Sequence, residues 1–303
     1  MSILVVGSVA FDTVQTPAGR ADRVLGGSAS YFSVAASFFA PVHLVAVVGK
    51  DFTEEHARLF RDRDIDLSGL SHLPGETFRW SGVYGDDINQ RTTLSTELNV
   101  FQEFKPVLPE RLRKSDFLFL ANIDPDLQRS VLQQVKRPRL VACDTMNFWI
   151  EGKRASVLEM LKGVDVLLIN DQEARELALE ANTVRAARKI LGFGPSSLII
   201  KRGEYGAALY GSHAHFAVPA YPLLDPVDPT GAGDAFAGGF MGHLARSAAL
   251  DDATIRQALV VGSVMASFCV EDFSLRRFQS LRPEQIRTRI KEFGRMTQYA
   301  DPA

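Results

Sequence analysis

Asp228-Pro229-Thr230-Gly231-Ala232-Gly233-Asp234-Ala235-Phe236-Ala237-Gly238-Gly239-Phe240 is the stretch on which the reading of this chain turns. Two glycines flank one alanine, an acid closes the turn, and a run of small residues with helical character follows. Backbone N–H groups at a helix N-terminus lack intrahelical partners and sit at the positive end of the helix dipole. Only residues with little or no side chain let a phosphate approach them closely. An acid in that place repels a phosphate unless it has chemical work to do. Serving as general base for a substrate hydroxyl is such work. The plainer alternative is a helix-starting aspartate after a glycine turn, which many α/β proteins use.

Outward from this motif the chain alternates short apolar runs with helical stretches. That pattern predicts a parallel sheet covered on both faces. Buried strands are expected at 3–6, 44–48, 117–121, 140–144, 166–170 and 198–201. Helices are expected at 28–39, 54–62, 125–135, 153–161, 172–179 and 183–191, with two small-residue helices at 232–247 and 252–268. Strands at 207–210 and 215–218, joined by Gly211-Ser212-His213-Ala214, read as a hairpin at the sheet's edge. Ligands in open α/β sheets bind outside the carboxyl ends of the strands, where Asn122, Asp144, Asn170 and Lys201 fall.

Two β-like runs, 77–84 and 91–96, break the alternation across the polar turn Gly85-Asp86-Asp87-Ile88-Asn89-Gln90. Phe78, Trp80 and Tyr84 share one face by their period of two, with Arg79, Ser81 and Val83 on the other. With residues 12–16 these runs could build a small sheet outside the main one. An edge hairpin packing its aromatics on the core is the simpler alternative.

Four motifs in order resemble the ribokinase (PfkB) family of ATP-dependent sugar and nucleoside kinases. Gly7-Ser8-Val9-Ala10-Phe11-Asp12 follows the first strand, and Gly26-Gly27-Ser28-Ala29 opens a helix as the family's N-terminal glycine pair does. Asn170-Asp171-Gln172-Glu173 is similar to its Asn-x-x-Glu motif, and Lys201-Arg202-Gly203-Glu204-Tyr205-Gly206 to its strand and turn beside the nucleotide. The resemblance implies a three-layer α/β/α sandwich, a single domain over 1–303, and a β lid from about 12–17 and 76–98. It implies Asp234 as catalytic base and the Gly231, Ala232, Gly233 and Asp234 backbone as anion hole. Asn170, Glu173, Lys201, Gly203 and Thr230 are then expected to bind ATP, with Glu173 acting indirectly on Mg²⁺. Asp12, Gly26, Gly27, Asn99, Asn122 and Asp234 are expected to bind the acceptor. Asp228 and Thr230 match by position the loop where relatives respond to a monovalent cation such as K⁺. The lid also makes a homodimer through it a candidate arrangement.

The chemistry expected on these grounds is phosphorylation of a hydroxyl on a small sugar, with a nucleoside kinase as the alternative. A non-catalytic nucleotide or sugar sensor is a third reading, against which Asp234 speaks, because a binder needs no base. In place of the lysine or asparagine that often follows the family's glycine pair, this chain has Ser28-Ala29-Ser30-Tyr31-Phe32-Ser33. No Walker A lysine motif is present. Gly192-Phe193-Gly194 closes a helix instead of opening one, so it is not a dinucleotide fingerprint.

Composition fits this picture. The chain has 303 residues, 46% hydrophobic and 23% charged, enough to bury a large core. A formal net charge of −2 leaves no footprint for nucleic acid or an anionic membrane. Cys143 and Cys269 are the only cysteines, far apart and without metal-ligand spacing, which suits a reducing cytoplasm. Met1-Ser2-Ile3-Leu4-Val5-Val6-Gly7 has no basic leader and reads directly as a strand.

Overall fold

The computed structural model describes residues 1–211 and 215–298. The turn expected at 212–214 therefore lies outside the described residues. Strands in chain order are β1 (Ile3–Val6), β2 (Ala10–Thr16), β3 (Gly19–Gly26), β4 (Val42–Val48), β5 (Asp66–His72), β6 (Phe78–Tyr84) and β7 (Arg91–Glu97). They continue as β8 (Phe117–Leu120), β9 (Leu140–Cys143), β10 (Val166–Asn170), β11 (Ser197–Lys201), β12 (Ala207–Gly211) and β13 (His215–Val218).

Among the described residues, nine strands form one sheet in the order β13-β12-β11-β10-β9-β8-β1-β4-β5. Pairing is parallel from β11 to β5 and antiparallel at the β12 and β13 end. Ile3 and Val5 of β1 enter the core on one side of this sheet, Leu4 and Val6 that on the other. Both faces are thus covered, as period-two side chains on a buried parallel sheet require. The result is the ribokinase-like layered α/β fold.

The four-stranded sheet runs β3-β2-β6-β7. Strand β3 was not anticipated: Gly19-Arg20-Ala21-Asp22-Arg23-Val24-Leu25-Gly26 is too polar to read as buried, and it forms one edge. The polar strand β5, Asp66-Leu67-Ser68-Gly69-Leu70-Ser71-His72, was missed for the same reason at the edge of the main sheet. Edge strands bury one side or less, so they lack the apolar run that marks central strands. Helix Pro283–Thr297 also went unassigned, despite its Pro at the first turn.

The site is positioned by two helices that run close together. Gly238 of helix Ala232–Arg246 faces the Phe32 carbonyl of helix Ser28–Ala36, and an added Cβ would lie 2.8 Å from the Ala35 Cβ. Phe32 stacks on Phe119 of β8 at 4.2 Å and anchors the pair to the sheet. A second device holds the carboxyl ends of the central strands. The buried Gln128 side chain donates to the carbonyls of Leu120, Ala121 and Asp144 at 3.0–3.1 Å.

Gly238→Ala tests the close approach. Helix propensity alone would favour alanine by about 1 kcal/mol. The collision with backbone should outweigh this and leave a net loss of about 1–3 kcal/mol. Chemical denaturation measures the difference; a variant more stable than wild type would show that the helices do not meet as described.

Candidate active site

Gly231 is the N-cap of helix Ala232–Arg246, in the left-handed region with φ 77°. Any Cβ there would also strike the ring of Tyr31, so both conformation and space demand glycine. No side chain caps this helix. The Ala232 N–H turns back to the Pro229 carbonyl at 3.1 Å, and those of Gly233 and Asp234 are left for a ligand. The loop before it is fixed from both sides: Asp228 accepts from the Thr230 N–H at 2.8 Å and from the Ser274 N–H at 3.4 Å. The Val227 N–H donates to the Val270 carbonyl at 2.7 Å. Thr230 Oγ1 hydrogen-bonds the Tyr84 hydroxyl at 3.2 Å, tying the loop to the small sheet.

Asp234 lies in the first turn of the same helix, and its charge bears on the buried Asp144, the residue after β9. Burial pushes both carboxyls up, and for Asp144 the neighbouring Asp234 charge adds to it. Lys201 and Arg91 pull Asp234 the other way. Asp144 is 5% exposed and its Oδ1 has no hydrogen-bond partner. Lys201 stands at the end of β11, level with Asn170 on β10, and its Nζ is 2.8 Å from where a Gly233 Cβ would be. Ammonium, helix N-terminus and two carboxyls thus converge on one point.

Asn170 and Glu173 form a reciprocal cap: the Glu173 N–H donates to Asn170 Oδ1 at 2.8 Å, and the Asn170 N–H to Glu173 Oε2 at 2.9 Å. Glu173 is pushed up by burial and lowered chiefly by Lys201. Among the described residues no cluster of three or more His, Cys, Asp or Glu could cage a metal ion. The unpartnered Asp144 oxygen and the second Glu173 oxygen fit a Mg²⁺ held mainly by phosphate and water.

The acceptor side gathers around Asp12, which is 4% exposed on β2. Its carboxylate fills the space above Gly26, and the Gly27 backbone N–H favours its ionised form. Gly27 has φ 91°, and a Cβ there would lie 2.6 Å from the Ser8 carbonyl. Burial raises Asp12 to about 7, with Asp228 and Asp234 contributing. Behind it the hydroxyls of Ser8 and Ser28 meet at 3.1 Å. Asn122 donates to Met146 Sδ at 3.1 Å and accepts from Trp149 Nε1 at 3.1 Å, joining the ends of β8 and β9. The exposed Asn99 side chain donates to the Thr77 carbonyl at 3.0 Å, a tie just before β6.

Gly203 also has positive φ, 55°, and the side chain of Asn89 lies against it. The turn before β7 therefore reaches the loop after β11. Sequence reasoning gave no role to Arg91, Tyr84 or Asp144. Of these, only Asp144 carried a signal, a polar residue at the carboxyl end of a strand.

The family model for the pfkB family carbohydrate kinases matches residues 2–280 of the chain. A cytidine kinase of Thermococcus kodakarensis is 31% identical over 83% of this chain and 91% of its own length. Among solved structures, a nucleoside kinase of Burkholderia thailandensis in complex with inosine superposes with TM-score 0.75 and 18% identity, covering 96% of this chain and 98% of that one. A nucleoside kinase of Methanocaldococcus jannaschii, described as an archaeal member of the ribokinase family, gives 0.77 and 20%, covering 96% and 98%. No helix among the described residues is long and apolar enough to cross a membrane. The glycine turn, the acid behind it and the match across the chain converge: this protein is a kinase of the PfkB (ribokinase) family.

Proposed function

We propose that the protein transfers the γ-phosphoryl group of ATP to a ribose hydroxyl of a nucleoside, cytidine being the first candidate. The observation that carries this reading is the register of β2 and β6, which sets Trp80 directly beside Asp12. Paired residues on neighbouring strands share a face. A carboxylate for a diol thus stands next to an aromatic ring for a base. The first turn of helix Ser28–Ala36 offers serine and alanine, with no amide or ammonium for the many hydroxyls of a free sugar. Similarity to a cytidine kinase supports the same choice. A free sugar remains the second reading, favoured by the carbohydrate-kinase family model.

In this mechanism Asp12 binds and orients the ribose hydroxyls. Asp234 takes the proton of the attacking hydroxyl. The N–H groups at the start of helix Ala232–Arg246 and the Lys201 ammonium stabilise charge on the phosphoryl oxygens. Bound Mg²⁺ would neutralise phosphate charge, with Asp144 and Glu173 beside its water shell. Asn170 keeps Glu173 in place through the reciprocal cap. Gly203 and Thr230 border the nucleotide side, and the small sheet serves as lid.

An ATP-consumption screen tests the acceptor. Cytidine or another nucleoside should exceed ribose, fructose and inositol in kcat/KM by at least about tenfold, the scale of one good contact. Preference for a free sugar would overturn the nucleoside reading while leaving the kinase in place.

Asp234→Asn should fold and bind ATP yet lose about 10²–10⁴-fold in kcat, the usual worth of a general base. Turnover within a few-fold of wild type, about threefold, would remove Asp234 from that role.

The pH profile has a definite sign. Both acids act as anions, and burial raises them, Asp234 to about 6 and Asp12 to about 7. The acid limb of kcat/KM should therefore fall between about 6 and 7, with activity lost as pH drops through it. A limb at the ordinary carboxylate value near 4 would contradict the buried site.

A further inference from the structure

Three segments meet behind the glycine turn. They are the loop 219–230 that leads into helix Ala232–Arg246, the turn 270–274 after helix Asp252–Cys269, and helix Pro283–Thr297, which begins beyond the residues matched by the family model. Arg289 of that last helix joins the other two. Its guanidinium donates to Glu271 Oε1 at 2.6 Å and to Ser267 Oγ at 2.9 Å, and its central carbon lies 3.6 Å from the ring centre of the buried Phe268. The same carbon is 4.4 Å from the ring centre of Tyr221, whose hydroxyl donates to Glu292 Oε2 at 2.7 Å. Arg277 takes the second oxygen of Glu271, Oε2, at 2.6 Å. The side chains of Arg289, Arg277 and Glu271 are only 14%, 18% and 22% exposed, so this network is largely withdrawn from water.

The turn that Arg289 grips supports the approach to the site. The Val270 carbonyl accepts from the Val227 N–H at 2.7 Å and from the Asp228 N–H at 3.3 Å. Ser274 has φ 59°, a left-handed conformation unfavourable for a residue with a side chain, and its N–H reaches Asp228 Oδ2 at 3.4 Å. Asp228 Oδ1 in turn accepts from the N–H of Thr230, the residue before Gly231. Backbone strain of this kind persists only where the surroundings over-determine it. Apolar packing could stabilise such a corner as well, because ions taken out of water recover little net energy. A forked guanidinium adds direction, since each N–H fixes one partner.

We infer that Arg289 is a positioning residue for phosphoryl transfer: it holds the turn 270–274 and Tyr221 in one register, and through them the loop that aims the N–H groups of Gly233 and Asp234. The inference rests on the anion hole proposed above. Arg289 touches neither substrate in this scheme, and none of its contacts reaches Asp12. Its removal therefore disturbs the seat of the transferring phosphoryl group and leaves acceptor binding alone. A displacement of about 1 Å at a reacting centre, caused from a distance, can cost about a hundredfold in rate.

Calorimetry with MgADP, alone and with beryllium fluoride in place of the γ-phosphoryl group, tests this without any acceptor. Wild type should bind the fluoride complex more tightly than MgADP. Arg289→Met keeps the packing of the stem and should lose about tenfold to a hundredfold of that gain. Its Kd for MgADP alone should move by less than about threefold. Arg289→Lys, which keeps the charge without the fork, should fall between. With the best acceptor from the screen, kcat should drop by a similar factor while the acceptor KM stays within about threefold. Ser267→Ala and Tyr221→Leu each remove one partner and leave Glu271 paired, so they carry the same comparison, with smaller losses, where Arg289→Met is too unstable to assay. A merely structural arginine would lower the melting temperature and leave the fluoride gain as in wild type, and that result would overturn the inference. Equal losses for MgADP and its fluoride complex would overturn it too. A wild type that binds both alike would instead strike the anion-hole reading, before any variant is compared.

Discussion

Everything at this site depends on bringing an uncapped helix N-terminus against the carboxyl edge of the sheet. The approach is possible because helices Ser28–Ala36 and Ala232–Arg246 meet through small residues, with Gly238 against the Phe32 carbonyl. Gly231 then settles over the Tyr31 ring in a left-handed conformation, and the open N–H groups point to one place. A helix end left without partners is costly in isolation. An anion bound there, as proposed, would offset that cost.

The second constraint is charge. Five acids around one cleft would repel each other and any triphosphate, and burial answers by raising Asp12, Asp144, Glu173, Asp228 and Asp234 alike. The same groups become useful once cations arrive. Lys201 lies against Gly233, and Arg91 stands on the small sheet opposite Tyr84. Catalysis on this view is a matter of assembling positive charge in the right order.

Much of this was readable in advance because local patterns carry it. The central strands are apolar runs ended by polar residues, and β1 and β10 fall where that pattern places them. The glycine turn marked the start of a helix, because the left-handed Gly231 suits no other residue. What stayed hidden depends on distant pairing. Strands β3 and β5 are polar edges. Arg91 is an ordinary exposed arginine until antiparallel pairing sets it opposite Tyr84. Asp144 feels the charge of Asp234 only because the loop after β9 and the start of a helix far along the chain come together.

A crystal structure with ADP, Mg²⁺, aluminium fluoride and the acceptor tests the central claim most directly. The account predicts the fluoroaluminate within hydrogen-bond distance of the N–H groups of Gly233 and Asp234, with the acceptor hydroxyl on the Asp234 carboxylate and its diol on Asp12. A transition-state mimic seated elsewhere, with the helix N-terminus facing only solvent, would contradict it.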